Sequence, residues 1–348
     1  MAIVVLRCNL AVWAGWCAVT SFGFEARLWL LLAAIAIDAV AGDPDFIWRR
    51  IPHPVAWFGA MIGWADRTLN AAPPAGSNLL RRVTGAATII VLTALAFLAG
   101  VLVERGLAGF EWGFVLLPVI ASVFLASRSL YDHVRAVFDA FDEGGLAAAR
   151  RSVAMIVGRD PDSLDEAGVC RAAIESTAEN FSDGFVAPAL WFALLGLPGL
   201  FAYKMINTAD SMIGHLSDRH RAFGWASARL DDLVNLPASR LAGGLIVMAA
   251  PFVGTSIRES FVVMLDDAGK HRSPNAGWPE AAMAGALGLA LAGPRRYAGH
   301  VVDDPFLNPA GRRDAAPGDI AKALKVLRIA TGLTGILVVI IALWLRSS

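Results

Sequence analysis

Residues 174–183 read "IESTAENFSD" and place three carboxylates, Glu175, Glu179 and Asp183, close together. No Lys or Arg between Arg171 and Lys204 neutralises them. On a helix Glu175 and Glu179 stand four residues apart, and Ser182 and Asp183 continue the same face. Like charges at that spacing repel, so the face gains from a cation above it. Mg²⁺ carrying a phosphate-bearing ligand would suit such a face. The plainer alternative is a helix start near lipid head groups, where acids suit the first turn.

Beyond an apolar stretch comes "YKMINTADSMIGH" (203–215). Helical spacing gathers Lys204, Asn207, Asp210 and Ser211 on about a third of the circumference. Lys204 is either a snorkelling anchor or a point charge for a phosphate, with Asp210 holding a metal. "ARLDDLVNLPASR" (228–240) repeats the theme with Asp231 and Asn235 four apart, Asp232 beside them and Pro237 expected to end the run. Three clusters of acids and amides thus fall within 175–235, each touching an apolar segment. Two further stretches, 41–59 with Asp43, Asp45 and His53 and 266–285 with Lys270, His271, Asn275 and Glu280, read as proline-fixed loops or site residues in equal measure. His133, His220 and His300 read as surface or interface residues.

The elements that must position these groups are membrane helices. Of 348 residues, 56% are apolar and only 17% charged, where a soluble domain carries about a quarter. The 30 basic and 30 acidic residues cancel, which leaves no basic footprint for nucleic acid. Cys8, Cys17 and Cys170 form no C-x-x-C pair and read as small buried hydrophobes. No phosphate loop, dinucleotide fingerprint, H-E-x-x-H or G-x-S-x-G motif is present, so nucleotide chemistry must use carboxylate-bound Mg²⁺ and scattered basic residues.

Apolar runs at 84–103 and 112–126 predict a transmembrane hairpin, with further spans at 241–255 and 330–345. Residues 28–42 form another apolar run with Asp38 inside it, facing either the bundle interior or the interface. The first apolar stretch, broken by Arg7 and Asn9, reads as a signal-like segment, a span or an extension (1–27) ahead of a single membrane-embedded domain, 28–348. Residues 185–207, "FVAPALWFALLGLPGLFAYKMIN", either span once or re-enter through "GLPG". Arg49, Arg50, Arg67, Arg81 and Arg82 precede the hairpin and Arg128, Arg135, Arg150 and Arg151 follow it, which places the large polar segments in the cytoplasm. The fold class expected is an all-α polytopic bundle with cytoplasmic helices and loops.

The strings "GDPDFIWRRIPHPVAWFG", "AAIESTAENFSDGFVAP", "YKMINTADSMIGH", "ARLDDLVNLPASRLAG" and "HRSPNAGWPEAAMAGALG", in this order, resemble the signature blocks of the CobD/CbiB family of integral-membrane adenosylcobinamide-phosphate synthases. The resemblance begins near residue 28. It implies ATP-dependent ligation of (R)-1-amino-2-propanol, or its O-phosphate, to the propionate of adenosylcobyric acid. Mg²⁺, a place at the cytoplasmic membrane and contact with other late corrin-pathway enzymes are implied with it. Residue type and position then assign Glu175, Glu179, Lys204 and Asp232 to catalysis, and Asp183, Asp210 and Asp231 to metal. Asp43, His53, Asn180, Asn207, Ser211, Asn235, His271 and Asn275 are assigned to substrate. A single site holding all of these requires 185–207 to re-enter. A transporter with intramembrane acids and a non-catalytic sensor of the AmpE type are the rival readings.

Overall fold

A computed structural model of the protein describes residues 21–70, 78–157, 161–297, 300–302 and 304–348. The apolar stretch 1–20, with Cys8 and Cys17, lies outside them, as do the side chains of Asp45 and His300. The chain is helical almost throughout: α1 (Phe24–Ala41), α2 (Pro54–Leu69), α3 (Asn78–Ala108), α4 (Gly113–Ser122), α5 (Ser127–Val153), α6 (Glu166–Asn180), α7 (Ala187–Ala209), α8 (Trp225–Ala249), α9 (Ile257–Asp267), α10 (Gly277–Leu287) and α11 (Pro317–Ser347). The described strands are short: β1 (Leu291–Ala292), β2 (Arg295–Tyr297), β3 (His300–Val302) and β4 (Phe306–Leu307). β1 pairs antiparallel with β4, and β2 with β3. Five stretches are long and apolar enough to cross a membrane: 78–108, 113–153, 166–214, 225–253 and 317–347. The protein is a multi-pass helical membrane protein.

The helices form two compact units. The first takes residues up to 125, 188–234 and 337–348; the second takes 126–187 and 235–336. In the first, α3 shows why a membrane helix needs two faces. Gly85, Ile89, Leu92, Ala96 and Gly100 recur every three or four residues and are buried. Ile90, Val91, Leu95, Leu98 and Leu102 are exposed and apolar, a face suited to acyl chains. In lipid the buried face gains no hydrophobic transfer energy, so contact rests on close packing, which small residues permit. A methyl group on Gly100 would stand 2.6 Å from Pro198 backbone atoms. Ile62, Met205, Ala209 and Phe223 complete this core, and the rings of Phe124 and Phe201 lie 4.9 Å apart beside it. Asp38 is buried, which selects the interior reading.

α7 turns back on itself at Gly196. Gly196 adopts φ 68° and ψ −153°, a region in which essentially only glycine is stable, and it breaks α7 into two limbs. A methyl group on Gly199 would lie 2.5 Å from the Trp191 carbonyl oxygen, although eight residues of straight helix would separate them by about 12 Å. The limbs also reach neighbouring turns of α8: Trp191 Nε1 donates to the Val234 carbonyl (3.2 Å) and Asn207 Nδ2 to Asp231 Oδ1 (3.3 Å). Glu104, near the end of α3 and 1% exposed, holds the reversal. Its Oε2 accepts the Leu197 N–H at 2.8 Å and its Oε1 accepts the Ser21 N–H at 2.9 Å. Leu197 opens the second limb, so the carboxylate takes one of the N–H groups that a helix start leaves without a partner.

A second clamp fixes the loop after α7. Asp66 on α2 accepts from Asn70 Nδ2 (2.7 Å) and from Arg219 Nη2 (2.8 Å), and the His220 ring nitrogen stands 3.3 Å away. Burial pushes the Asp66 carboxyl up, but the bonds from Asn70, Arg219 and His220 outweigh it and hold the group below its ordinary value. His220, expected at the surface or an interface, thus forms part of this clamp.

The second unit is built on α9 against α10. Every residue of α10 is buried except its second, Trp278, and Ser260 Oγ on α9 donates to the Ala282 carbonyl at 2.8 Å. Cys170 is buried here, as expected.

Four local expectations need correction. Pro237 does not end a run but lies inside α8. The helix continues past the lost N–H of Pro237 through Ala249. Residues 41–59 are not all loop, because Pro54, with φ preset for a helix, opens α2. The run 112–126 is not one straight span: α4 has 10 residues and ends in a turn before α5. The acid face also changes, because α6 ends at Asn180 and Phe181–Val186 forms a π-helical turn that re-registers Asp183 against Glu175 and Glu179.

Two outcomes test these contacts. Gly196→Ala forces a Cβ to within 2.2 Å of Glu104 Oε2 and should cost on the order of 3 kcal/mol in a denaturant midpoint in detergent; an unchanged midpoint would refute the reversal. Asp66→Asn should cost about 1–2 kcal/mol at neutral pH. Because the folded value is depressed, that cost is complete above the ordinary value of 3.8 and shrinks as pH falls through the folded value, where the wild-type group protonates. A cost that grew on acidification would reverse the assignment.

Candidate functional site

In the first unit the second limb of α7 and the start of α8 bring four predicted residues together. The Asn207 amide donates to Asp231, which is 8% exposed. α7 passes into a π-helical turn at Asp210–Gly214, which carries Asp210. Such turns insert one residue into the helical register and recur at functional sites. The Asp210 carboxylate folds over Gly214, where a methyl group would stand 1.9 Å from its Oδ1. Asp232 is close enough for the two carboxylates to interact, and Arg229 Nη1 reaches Asp232 Oδ2 at 3.4 Å. Lys204 is 8% exposed, one turn before Thr208, whose hydroxyl donates to the Lys204 carbonyl. Ser211 Oγ donates to the Asn207 carbonyl and is exposed.

Mg²⁺ keeps several waters and takes one or two carboxylates together with substrate phosphates, so Asp210 and Asp232 are the residues here that could share one. Among the described residues no three His, Cys, Asp or Glu side chains converge as a closed metal site.

Asp43 and His53 lie apart from these residues in sequence and make a pair of their own. His53 caps α2, its Nδ1 accepting the Val55 N–H at 3.2 Å, and its Nε2 stands 3.6 Å from Asp43. The Trp48 ring meets it edge-on at 4.6 Å.

In the second unit Glu175 is 3% exposed, and its Oε1 accepts the Ala292 N–H at 2.8 Å. Ala292 has φ 59°, an unusual conformation for a residue with a Cβ, so Glu175 anchors a strained strand end. Glu179 and Asn180 are exposed, and Asn180 Nδ2 donates to the Ser176 carbonyl. Asp183 sits part-buried in the π-helical turn. Asn275 Oδ1 accepts from Ser239 Oγ at 3.1 Å and from Arg240 Nη1 at 2.9 Å, and the Arg240 guanidinium lies over the Trp278 ring at 4.7 Å. His271 stands 3.8 Å from buried Glu280. Asn235 is fully buried in α8.

Residue types alone missed Glu104, Asp66 and the chain from Asp66 through His220 to His215, whose ring nitrogens stand 3.0 Å apart. Desolvation and the neighbouring His220 push His215 below its ordinary value. The available signal was thin: Glu104 is the lone acid at the closing end of an apolar run, and His215 closes the string "YKMINTADSMIGH".

The chain was compared with known proteins. The family described as CobD/Cbib protein matches residues 31–327, which takes in every residue assigned above. Relatives named cobalamin biosynthesis protein CobD include one from Sinorhizobium fredii, 54% identical over 85% of this chain and 91% of its own length. One from Brucella anthropi is 49% identical over 90% and 99%, and one from Rhodobacter capsulatus is 45% identical over 90% and 98%. No solved structure matches. The chain belongs to the CobD/CbiB family, a family of cobalamin biosynthesis enzymes.

Proposed function

We propose that the protein is an amide ligase of the cytoplasmic membrane. It joins (R)-1-amino-2-propanol, or its O-phosphate, to the propionate carboxylate of adenosylcobyric acid with consumption of ATP, giving adenosylcobinamide or its phosphate. The observation that carries this reading is the family match across residues 31–327, which spans the Asp210–Asp232 pair and the clusters around it.

A carboxylate is a poor acyl donor. The corrin propionate attacks the γ-phosphorus of ATP, ADP leaves, and an acyl phosphate forms. The amine nitrogen then attacks the acyl carbon, phosphate leaves, and the ammonium proton passes to a carboxylate of the Glu175, Glu179 and Asp232 set. Lys204 steadies the phosphate as a point charge. Asp210 and Asp231, beside Asp232, are the residues of the first unit that would hold Mg²⁺, which when bound would neutralise charge on the transferring phosphoryl group; Asp183 remains assigned to metal within the same proposal. Asn180, Asn207, Ser211, Asn235, His271, Asn275, Asp43 and His53 remain assigned to substrate, within the same proposal. The basic segments beside the hairpin argue for a cytoplasmic site, where other late corrin-pathway enzymes would hand over a large corrinoid.

What weighs against transport is the use of the most buried acid among the described residues. Glu104 is committed to the Leu197 and Ser21 N–H groups and offers no ion path. A sensor would not need the density of acids and amides between Asn207 and Asp232.

The test is an assay of detergent-purified protein with adenosylcobyric acid, either amine, ATP and Mg²⁺. Wild type should yield amide, ADP and phosphate in equal amounts, and chelation of Mg²⁺ should abolish all three. Asp232→Asn and Glu179→Gln should fold normally and lose on the order of 100-fold or more in kcat. Full activity in Glu179→Gln removes that residue from the mechanism. Intact wild-type protein that makes no product with either amine would sink the ligase reading.

A further inference from the structure

We propose that the groove between α5 and α11 binds the phosphate head group of an anionic membrane lipid. The groove has a volume of about 470 Å³ and belongs wholly to the second unit. Its charged lining is Arg135, Lys325 and Arg328, and its apolar lining includes Tyr131, Phe138 and Leu324. None of these carries a part in the ligation chemistry, so the inference is independent of that reading.

The two helices run antiparallel in a fixed register. Ser127 Oγ meets Thr331 Oγ1 at 3.0 Å, and the Arg328 guanidinium lies 5.8 Å from the centre of the Tyr131 ring. The first contact marks the membrane border, because Ser127 follows the apolar run 112–126 and Thr331 stands at the start of the run 330–345. Arg328 and Lys325 precede that run by two and five residues, about 3 and 8 Å along the helix axis. The head-group layer on one face of a bilayer is roughly 5–8 Å deep. The cations therefore stand at the depth of lipid phosphates.

The charges are also arranged to receive an anion. Among the described residues no carboxylate pairs with Lys325 or Arg328. The nearby acids have other partners: Asp139 pairs with Arg135 at the groove's edge, Asp132 with Arg128, and Asp319 with Arg312 and Lys322. Arg328 lies over the Tyr131 ring, which holds its guanidinium plane without neutralising it, while Arg135, paired with Asp139, lies over Phe138 at 5.2 Å. An apolar lining of Phe138 and Leu324 beside Lys325 and Arg328 suits an amphiphile better than a free anion, and α11 continues from it into the bilayer.

The experiment measures binding of dioctanoyl-phosphatidylglycerol to delipidated protein in uncharged detergent, with dioctanoyl-phosphatidylcholine and inorganic phosphate as separate arms. Phosphatidylglycerol should bind best. Lys325→Gln combined with Arg328→Gln should weaken it about 30-fold, from about 1 kcal/mol per basic residue. Lys325→Arg with Arg328→Lys should keep most of the affinity, and Arg258→Gln, an exposed basic residue elsewhere, should keep all of it. Unchanged binding in the neutral pair overturns the proposal. So does equal loss in the charge-conserving pair, or inorganic phosphate binding as tightly as the lipid, which would make the groove a site for a soluble phosphate.

Discussion

A buried carboxylate at the end of a membrane helix holds the first unit in shape. Glu104 accepts the N–H of Leu197 just past a glycine whose conformation is closed to other residues. Away from water an unpaired backbone N–H costs several kcal/mol, and an unpaired carboxylate costs more. Each group removes the other's penalty, and the Arg27 guanidinium acts on the same carboxylate. The reversal at Gly196 is possible inside an apolar unit because this acceptor is in place. Everything on the second limb, Lys204, Asn207 and Asp210 included, takes its position from that point.

The same economy recurs around the acids. Membrane helices gain little from burying apolar surface against one another, so close backbone approach has to come from small residues. Gly100 against Pro198 and Gly199 against Trp191 supply it in the first unit. Polar side chains then bind locally: Asn207 to Asp231, Asn275 to Ser239 and Arg240, and Glu175 to Ala292. The two π-helical turns, at Phe181–Val186 and Asp210–Gly214, each carry an acid that an uninterrupted α-helix would aim elsewhere. An extra residue in a turn costs hydrogen-bond quality, and it redirects a carboxylate without breaking the helix.

Much of the architecture was legible because membrane helices have a strong signal. The hairpin of α3 and α4 and the final span were both visible in the string. Local rules erred where neighbours override them. Pro237 sits inside α8, which continues to Ala249, and Pro54 starts a helix because His53 caps it. Glu175 was legible as an unneutralised acid, yet its bond to Ala292 joins residues 117 apart, and no spacing rule reaches that far. The clamp on Asp66 escaped notice for the same reason: its partners, Arg219 and His220, come from a loop about 150 residues downstream.

By itself the sequence determined that this is a multi-pass helical membrane protein, which family it belongs to, and which acids and amides are candidates for chemistry. Those properties reside in residue type, run length and short-range order, all readable along a line. Only the tertiary structure decided that 185–207 turns back, that Asp210 and Asp232 come close enough to interact, and that Arg135, Lys325 and Arg328 line one groove. Both "GLPG" readings satisfy the same local preferences. The choice between them is made by a carboxylate some ninety residues away, because in a low-dielectric interior the fold that pairs both polar groups is the one that survives.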